Sequence, residues 1–559
     1  MKKQLFLLVC ICFTMYSFGQ IKEKNAIDQI FSEWNKSDVP GAALGIVKEG
    51  KIIYANGYGS ADLEHDLNIT QSSVFYIGSV SKQFVTFAVL LLEEQGKLNL
   101  DDKIQKYLPD FPEYETPLTI RHFIHHTSGV RDYLTLMSLK GRSYLDHIEN
   151  EEVYDLIKSQ EVLNFPPGEK YLYSNSCYFM LAMIIEKAAG ESLKKFAQAN
   201  IFDPLGMKNS MFYDDNRELI KNKAFSYEKN DKGGFNNLIM RFDLVGSGGV
   251  YSSVEDLYLW DQNFYNNKLG KGGQAIIDKM HNEGLLNSGK SSGYAFALQN
   301  GNYKGLKTVS HGGSLAGYRS QLMRFPNQKF SVIVLANRED ANPTRKSFDV
   351  ADVMLKGQFV IAPKKKSTEK KAITKTSKKS KATTKFTLLQ QVGDYEIQSG
   401  AIASISVKND SLFVTQKWNG SSYTIGNTDM NTFEIPGNKT IQFIFSDLKG
   451  KSTQILTVFQ NGRETVAKRK ELISLTEKEL NAYKGSYYSK EIDASYQIVV
   501  KDNRLQLKMP NETPMDLEAS KKDIFTSDGI TIRFIRKNGV ISGLKVDAGR
   551  VKNLKFVKK

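Results

Sequence analysis

Between Tyr76 and Gly96 the chain reads YIGSVSKQFVTFAVLLLEEQG. From Phe84 to Leu92 it is apolar almost all round, the pattern of a helix buried on every side, predicted here over 81–95. A second apolar run predicts a helix over 176–189. Period-two patterning appears towards the ends of the same region. AALGIVKEGKIIYANGYG (42–59) reads as a hairpin turning at Glu49-Gly50, and YRSQLMRFPNQKFSVIVLAN (318–337) as another turning at Pro326-Asn327. Strands from both ends with helices between predict an α/β (α+β) domain over 20–360: one antiparallel sheet flanked by helices, plus an all-helical lobe.

The texture changes after residue 386 to short alternating strands separated by turn residues. A weak repeat is visible there. VGDYEI followed by VKNDSLFV (407–414) matches KGSYYS followed by VKDNRLQL (500–507), with the G-x-Y glycines at Gly393 and Gly485. Two copies of one module, 387–472 and 473–559, are predicted, each a small antiparallel β-barrel that removes its own strand edges. A chain of 559 residues suits about three such domains.

Charge and cysteine usage narrow the function classes. The formal charge of +15 resembles a nucleic-acid binder's until it is located. Residues 364–385 hold ten lysines and one glutamate, and the remainder is nearly balanced. That run lacks aromatics and periodicity, so 361–386 is predicted to be a disordered linker, and nucleic acid is not expected as a partner. The opening MKKQLFLLVCICFTMYSFGQ reads as a secretory signal over 1–19, implying passage across an inner membrane to the periplasm or beyond. No other segment is apolar enough to span a membrane. Cys10 and Cys12 leave with the signal, so Cys177 has no disulfide partner and reads as a packed thiol. Oligomeric state carries no sequence signal.

The predicted helix over 81–95 contains a contradiction. Lys82 stands at its start, three residues after Ser79, and burying an ammonium without a partner is costly. In one reading Lys82 snorkels to water and Ser79 is only an N-cap. In the other, the i,i+3 spacing brings an amine of lowered pKa to a serine nucleophile. S-x-x-K alone does not decide, since it recurs at Ser192, Ser226, Ser367, Ser446 and Ser542. Two further stretches complete a chemistry. Tyr173-Ser174-Asn175 follows a Pro-Gly turn, and His311-Gly312-Gly313 leads towards the last hairpin. Acyl transfer needs a nucleophile, a proton carrier, an oxyanion site and an orienting group. Ser79, Lys82 and Tyr173 are the catalytic candidates, Tyr173 serving the leaving group if nearby cations lower its pKa. Asn175, His311 and Gly313 would bind substrate. The backbone N–H groups of Ser79 and Ser314 would form the oxyanion hole.

The order S-x-x-K, Y-x-N, H-x-G resembles the serine β-lactamase and penicillin-binding superfamily, on its class C and D-peptidase side. Supporting segments are TIRHFIHHTSGV (119–130), IFDPLGMKNSMF (201–212) and GSGGVYSSVEDLYLW (246–260). The resemblance covers residues 25–350 and implies a site between the two lobes and an acyl-enzyme freed by water. It implies no cofactor. His125 and His126 fall in a turn that is a structural corner in such proteins, without a third metal ligand. Class C β-lactamases carry lysine where this chain has His311, which resembles D,D-peptidases, D-aminopeptidases and some esterases. A histidine titrating near pH 6.5 would make carboxylate binding there pH-dependent, unless His311 only hydrogen-bonds within the fold. The barrels resemble, more loosely, lipocalin-like modules of D-aminopeptidase-like members, and act as rigid caps or spacers with no catalytic cluster.

The expected function is a secreted serine hydrolase acting on a small peptide or ester, with D-amino-acid peptides favoured (a D-aminopeptidase or D-Ala-D-Ala carboxypeptidase). A carboxylesterase is the alternative within the same chemistry. A non-catalytic binder of cell-wall peptides or penicillins is the alternative outside it.

Overall fold

A computed structural model describes residues 22–360 and 387–559, the latter apart from 399–400, 409, 418–419, 430, 437, 461–462 and 528. The expected signal (1–19) and lysine-rich linker (361–386) lie outside the described residues. The central sheet holds β1 (Ala42–Lys48), β2 (Lys51–Tyr58), β3 (Gln299–Tyr303), β4 (Leu306–Leu315), β5 (Tyr318–Phe325) and β6 (Phe330–Ala336). Their spatial order is β3-β4-β5-β6-β1-β2, antiparallel throughout. The two predicted hairpins thus pair with each other, from Ala42 opposite Ala336 to Lys48 opposite Phe330. Glu49 and Gly50 both have positive φ, the tight hairpin turn whose twist matches its strands.

Alternation along these strands sorts the core into two layers. Leu44, Ile46, Val332 and Val334 pack with Ile27 and Val350 of two helices, α1 (Lys24–Ile30) and the domain's last, Pro343–Met354. Ala43, Val47, Ile333 and Leu335 face the larger core on the other side. There lie α2 (Lys82–Glu94), α3 (Asn175–Ala189) and α4 (Val254–Asn263). A Cβ at Gly45 would fall 2.5 Å from Val254, so glycine lets α4 seat on the sheet. Every residue of α2 from Lys82 to Leu92 is buried.

Each C-terminal module is a closed eight-stranded barrel of sequentially paired strands. The first closes at Tyr395 opposite Arg469 and the second at Tyr487 opposite Lys558. The G-x-Y repeat is their closure device. Gly393 and Gly485 have φ of 145° and 150°. A Cβ there would lie 2.2 Å from Arg469 and 2.6 Å from Lys558 respectively. Two residues on, Tyr395 and Tyr487 donate to the carbonyls of Gln391 (3.0 Å) and Tyr483 (2.7 Å).

The second barrel shares one continuous core with the helical lobe. Arg131 Nη1 meets Glu491 Oε2 at 2.5 Å with both side chains buried. Tyr496 donates to the Leu139 carbonyl at 2.7 Å, and Asn164 bridges the Arg550 carbonyl and the Lys552 N–H. Among the described residues no helix is long and apolar enough to cross a membrane.

Candidate active site

Ser79 sits in a short 3-10 turn, Gly78–Ser81, that runs directly into α2. Gly78 has φ of 53°, and a Cβ on it would strike the Ser314 nitrogen at 2.6 Å. A Cβ on Gly313 would come within 2.0 Å of the Ile77 carbonyl, to which Ser320 donates at 2.7 Å. These two glycines let the edge of β4 press against the serine turn, which brings the Ser79 and Ser314 backbones together. The His311-Gly312-Gly313 motif leads into β5, the first strand of the last hairpin, as expected, and is itself part of a strand, β4. Glycines at its centre hid the alternation.

Lys82 has no exposed surface, which removes the snorkelling reading, and Ser79 is not the helix cap. Its Nζ lies 3.1 Å from Ser79 Oγ, 2.9 Å from Asn175 Oδ1 and in contact with the Ser247 carbonyl oxygen. Among the described residues no carboxylate pairs with it. Burial, reinforced by the Arg550 charge and opposed by Asp132, holds this amine well below the ordinary lysine range. A neutral amine has two N–H donors and one lone pair. In that form the two carbonyl oxygens would take the donors, and the lone pair would be left to accept from the hydroxyl of Ser79.

Tyr173 and Asn175 are held by groups that carry no motif of their own. Asp132 Oδ2 accepts the Asn175 N–H at 2.7 Å, and His126 Nδ1 accepts the Ser174 N–H at 3.2 Å. The His126 ring packs on Tyr173 with centroids 4.0 Å apart, so the expected structural corner supports the tyrosine directly. Among the described residues the Tyr173 hydroxyl is buried with no partner at full hydrogen-bond geometry, and the Ser79 hydroxyl is the polar side chain that acts on it. Burial pushes this phenol well above its ordinary value, against the weaker pull of Ser79 and Arg550. Arg550 is the nearby cation that the sequence reading called for and it does lower the phenol's pKa, but burial outweighs it and the net shift is upward.

His311 hydrogen-bonds within the fold, one of the two readings the sequence left open. Its Nδ1 donates to the Gly312 carbonyl at 2.7 Å, which leaves Nε2 to accept from the Tyr294 hydroxyl at 2.8 Å. Burial, with Lys82 adding to it, lowers its pKa to about 4. The ring is neutral near pH 6.5 and presents no titrating cation to substrate.

Ser79, Tyr173, Asn175, His311, Gly313 and Ser314 line one cleft of about 1560 Å³, with Lys82 behind its floor. The Beta-lactamase family matches residues 27–352. The chain belongs to that family. Penicillin-binding protein 4* of Bacillus subtilis (strain 168) is 31% identical, over 65% of this chain and 81% of its own length. A D-aminopeptidase of Gluconobacter oxydans (strain 621H) is 26% identical over 54% of this chain, a match spanning 56% of that relative. The octameric penicillin-binding protein homologue from Pyrococcus abyssi shares the fold at a TM-score of 0.55 and 22% identity, over 87% of this chain and 98% of that one. This β-lactamase-family chain is a serine hydrolase by that membership.

Several residues of this β-lactamase-family site escaped the sequence reading. Ser247 contributes a carbonyl, which no side-chain pattern reports, although it stands in the glycine-rich GSGGV. Asp132 and Tyr294 act through Asn175 and His311. Arg550 comes from the tip of the second barrel's last hairpin, between Val540–Ala548 and Val551–Lys558, and lines the cleft. Of the two expected roles, cap or spacer, a barrel whose hairpin tip lines the cleft fits the cap.

Proposed function

We propose that this hydrolase cleaves an amide bond in D-amino-acid peptides through an acyl-enzyme on Ser79. The observation that carries the reading is the Lys82 amine, fully buried, without a paired carboxylate among the described residues, and 3.1 Å from Ser79 Oγ. Its lone pair takes the serine proton as Oγ attacks the carbonyl carbon. The developing oxyanion is held by the N–H groups of Ser79 and Ser314. Tyr173, kept as a neutral phenol, gives its proton to the leaving amine and recovers one from the Lys82 ammonium. Water then releases the acyl group by the same steps in reverse. Burial favours the neutral form of both groups, which supports Lys82 as base and Tyr173 as acid. A silent binding scaffold gains nothing from the cost of a buried amine. The names of the penicillin-binding and D-aminopeptidase relatives support D-amino-acid peptides as the substrate class.

The test is intact-mass analysis of the wild type and Ser79→Ala after incubation with a fluorophosphonate. One adduct on the wild type, absent from the variant, is expected. A folded wild type that stays unmodified refutes an activated Ser79. Hydrolysis of D-alanyl peptides in preference to short acyl esters then separates a peptidase from an esterase.

A further inference from the structure

Three features set the charge of the cleft. First, among the described residues that line it none is an aspartate or glutamate, whereas Arg319 and Arg550 both do. Second, the cation expected at the third motif is missing, because His311 has both ring nitrogens engaged and is buried. Third, the two arginines differ in their freedom. Arg319 spends Nη1 on the carbonyls of Ala316 (2.6 Å) and Tyr318 (2.8 Å). The Arg550 guanidinium has no hydrogen-bond partner among the described residues. It stacks 4.7 Å from the Tyr173 ring centroid and sits 3.7 Å from Asp132 Oδ2, with 43% of the side chain exposed.

We propose that Arg550 is a specificity-determining residue which binds a carboxylate on the substrate, so that the second barrel completes the site and selects acidic substrates over ones presenting a free ammonium. This rests on the reading of the Ser79 cleft as the substrate site. A guanidinium presents five N–H donors in a fork that matches a carboxylate. Asp132 does not compete for that role: it is 1% exposed and already accepts from Asn175 N–H and from Thr135. Asp132 instead fixes the guanidinium over Tyr173, the residue that serves the leaving group. An ammonium entering the same cleft would meet arginine and no acid. The barrel is anchored through Arg550's carbonyl and the Lys552 N–H, both on Asn164, so changing the Arg550 side chain leaves those docking bonds in place.

The experiment measures equilibrium binding by calorimetry, so it does not depend on turnover. Full-length Ser79→Ala is titrated with N-acetyl-D-alanyl-D-alanine and with its C-terminal amide, alone and combined with Arg550→Gln or Arg550→Lys. The acid should bind about 10- to 100-fold tighter than the amide, the range of a charge-assisted contact. Arg550→Gln should collapse that ratio and Arg550→Lys should restore part of it. A ratio near one in the Ser79→Ala chain, no binding of either peptide, or a ratio that survives Arg550→Gln overturns the proposal. A merely structural role would weaken both ligands together and keep the ratio, which also overturns it. Fluorophosphonate labelling of the Ser79 chain reports separately on the hydrolase reading, which can fail while the carboxylate preference stands.

Discussion

Replacing Lys82 by methionine separates the chemistry of the buried amine from its cost to the fold. Methionine keeps an unbranched chain of similar reach and removes the amine. Without it, acylation of Ser79 should fall about 10²- to 10⁴-fold, the range of a positioned general base. The stability effect has a sign that depends on pH. In the unfolded chain Lys82 titrates near 10.5, whereas in the fold burial holds it well below that value. Between the two, the unfolded chain binds one more proton, so wild-type stability rises with pH. The slope is about 1.4 kcal/mol per pH unit for as long as the folded amine stays neutral. Lys82→Met has no such proton. It also leaves Asn175 Oδ1 and the Ser247 carbonyl without a donor, a cost of roughly 1–3 kcal/mol each that does not vary with pH. The stability of the wild type relative to the variant should therefore climb between pH 7 and pH 9. Urea unfolding of both proteins at three pH values measures this, and the difference cancels the titrating groups that do not interact with Lys82. Parallel curves would mean that the folded lysine is charged. That result would refute Lys82 as the base that accepts the serine proton.

Tyr173→Phe keeps the ring against His126 and removes a buried hydroxyl that, among the described residues, has no partner at full hydrogen-bond geometry. Turnover should drop about 10²- to 10⁴-fold with stability unchanged or slightly higher; unchanged kcat would exclude Tyr173 as the acid. Glu491→Ala leaves Arg131 buried without its carboxylate where the second barrel meets the lobe. A loss of about 3–5 kcal/mol in urea unfolding is expected, and a loss below about 1 kcal/mol would remove the pair as the anchor. The neutral form of His311 contributes stability that is complete above pH 6.5 and lost as pH falls towards 4, because the unfolded chain binds the extra proton in that window. His311→Gln should lose less stability than the wild type between pH 6.5 and 4.5, and equal losses in Tm would contradict a buried neutral ring.

Legibility in the sequence followed how locally each feature is encoded. The α2 helix and both hairpins declare themselves through periods of 3.6 and 2, and the Glu49-Gly50 turn through residues that accept positive φ. Ser79 and Lys82 were readable because i,i+3 places them on one face. Tyr173 and Asn175 needed the family resemblance, since Y-x-N is too short to stand alone. The sheet was harder. β4 carries two adjacent glycines where alternation should show, and β3 reads QNGNY, an edge strand with little to bury. The sequence left two readings of His311 open because residue type gives an ordinary pKa and says nothing of burial. Arg550 was invisible for a different reason. It lies 471 positions after Ser79, and only the docking of a separate barrel brings it to the cleft.

That docking also bears on the base. Lys82 feels two opposing charges besides its burial: Arg550 disfavours its ammonium and Asp132 favours it. Both lie at the same junction, 3.7 Å apart, and one of them belongs to the second barrel. Arg550→Gln removes the positive charge and leaves Asp132 in place, so the folded amine should become easier to protonate. The fraction of neutral Lys82 at a given pH then falls. The pH at which Ser79 acylation by a neutral fluorophosphonate reaches half its maximum should move upward from the wild-type value. With 43% of the Arg550 side chain exposed, solvent screens the effect, which is best read as a direction. A profile that moves down would show that another group dominates the base. One that stays fixed would show that the barrel acts on substrate alone, with the dry floor beneath Ser79 sufficient to keep the amine neutral.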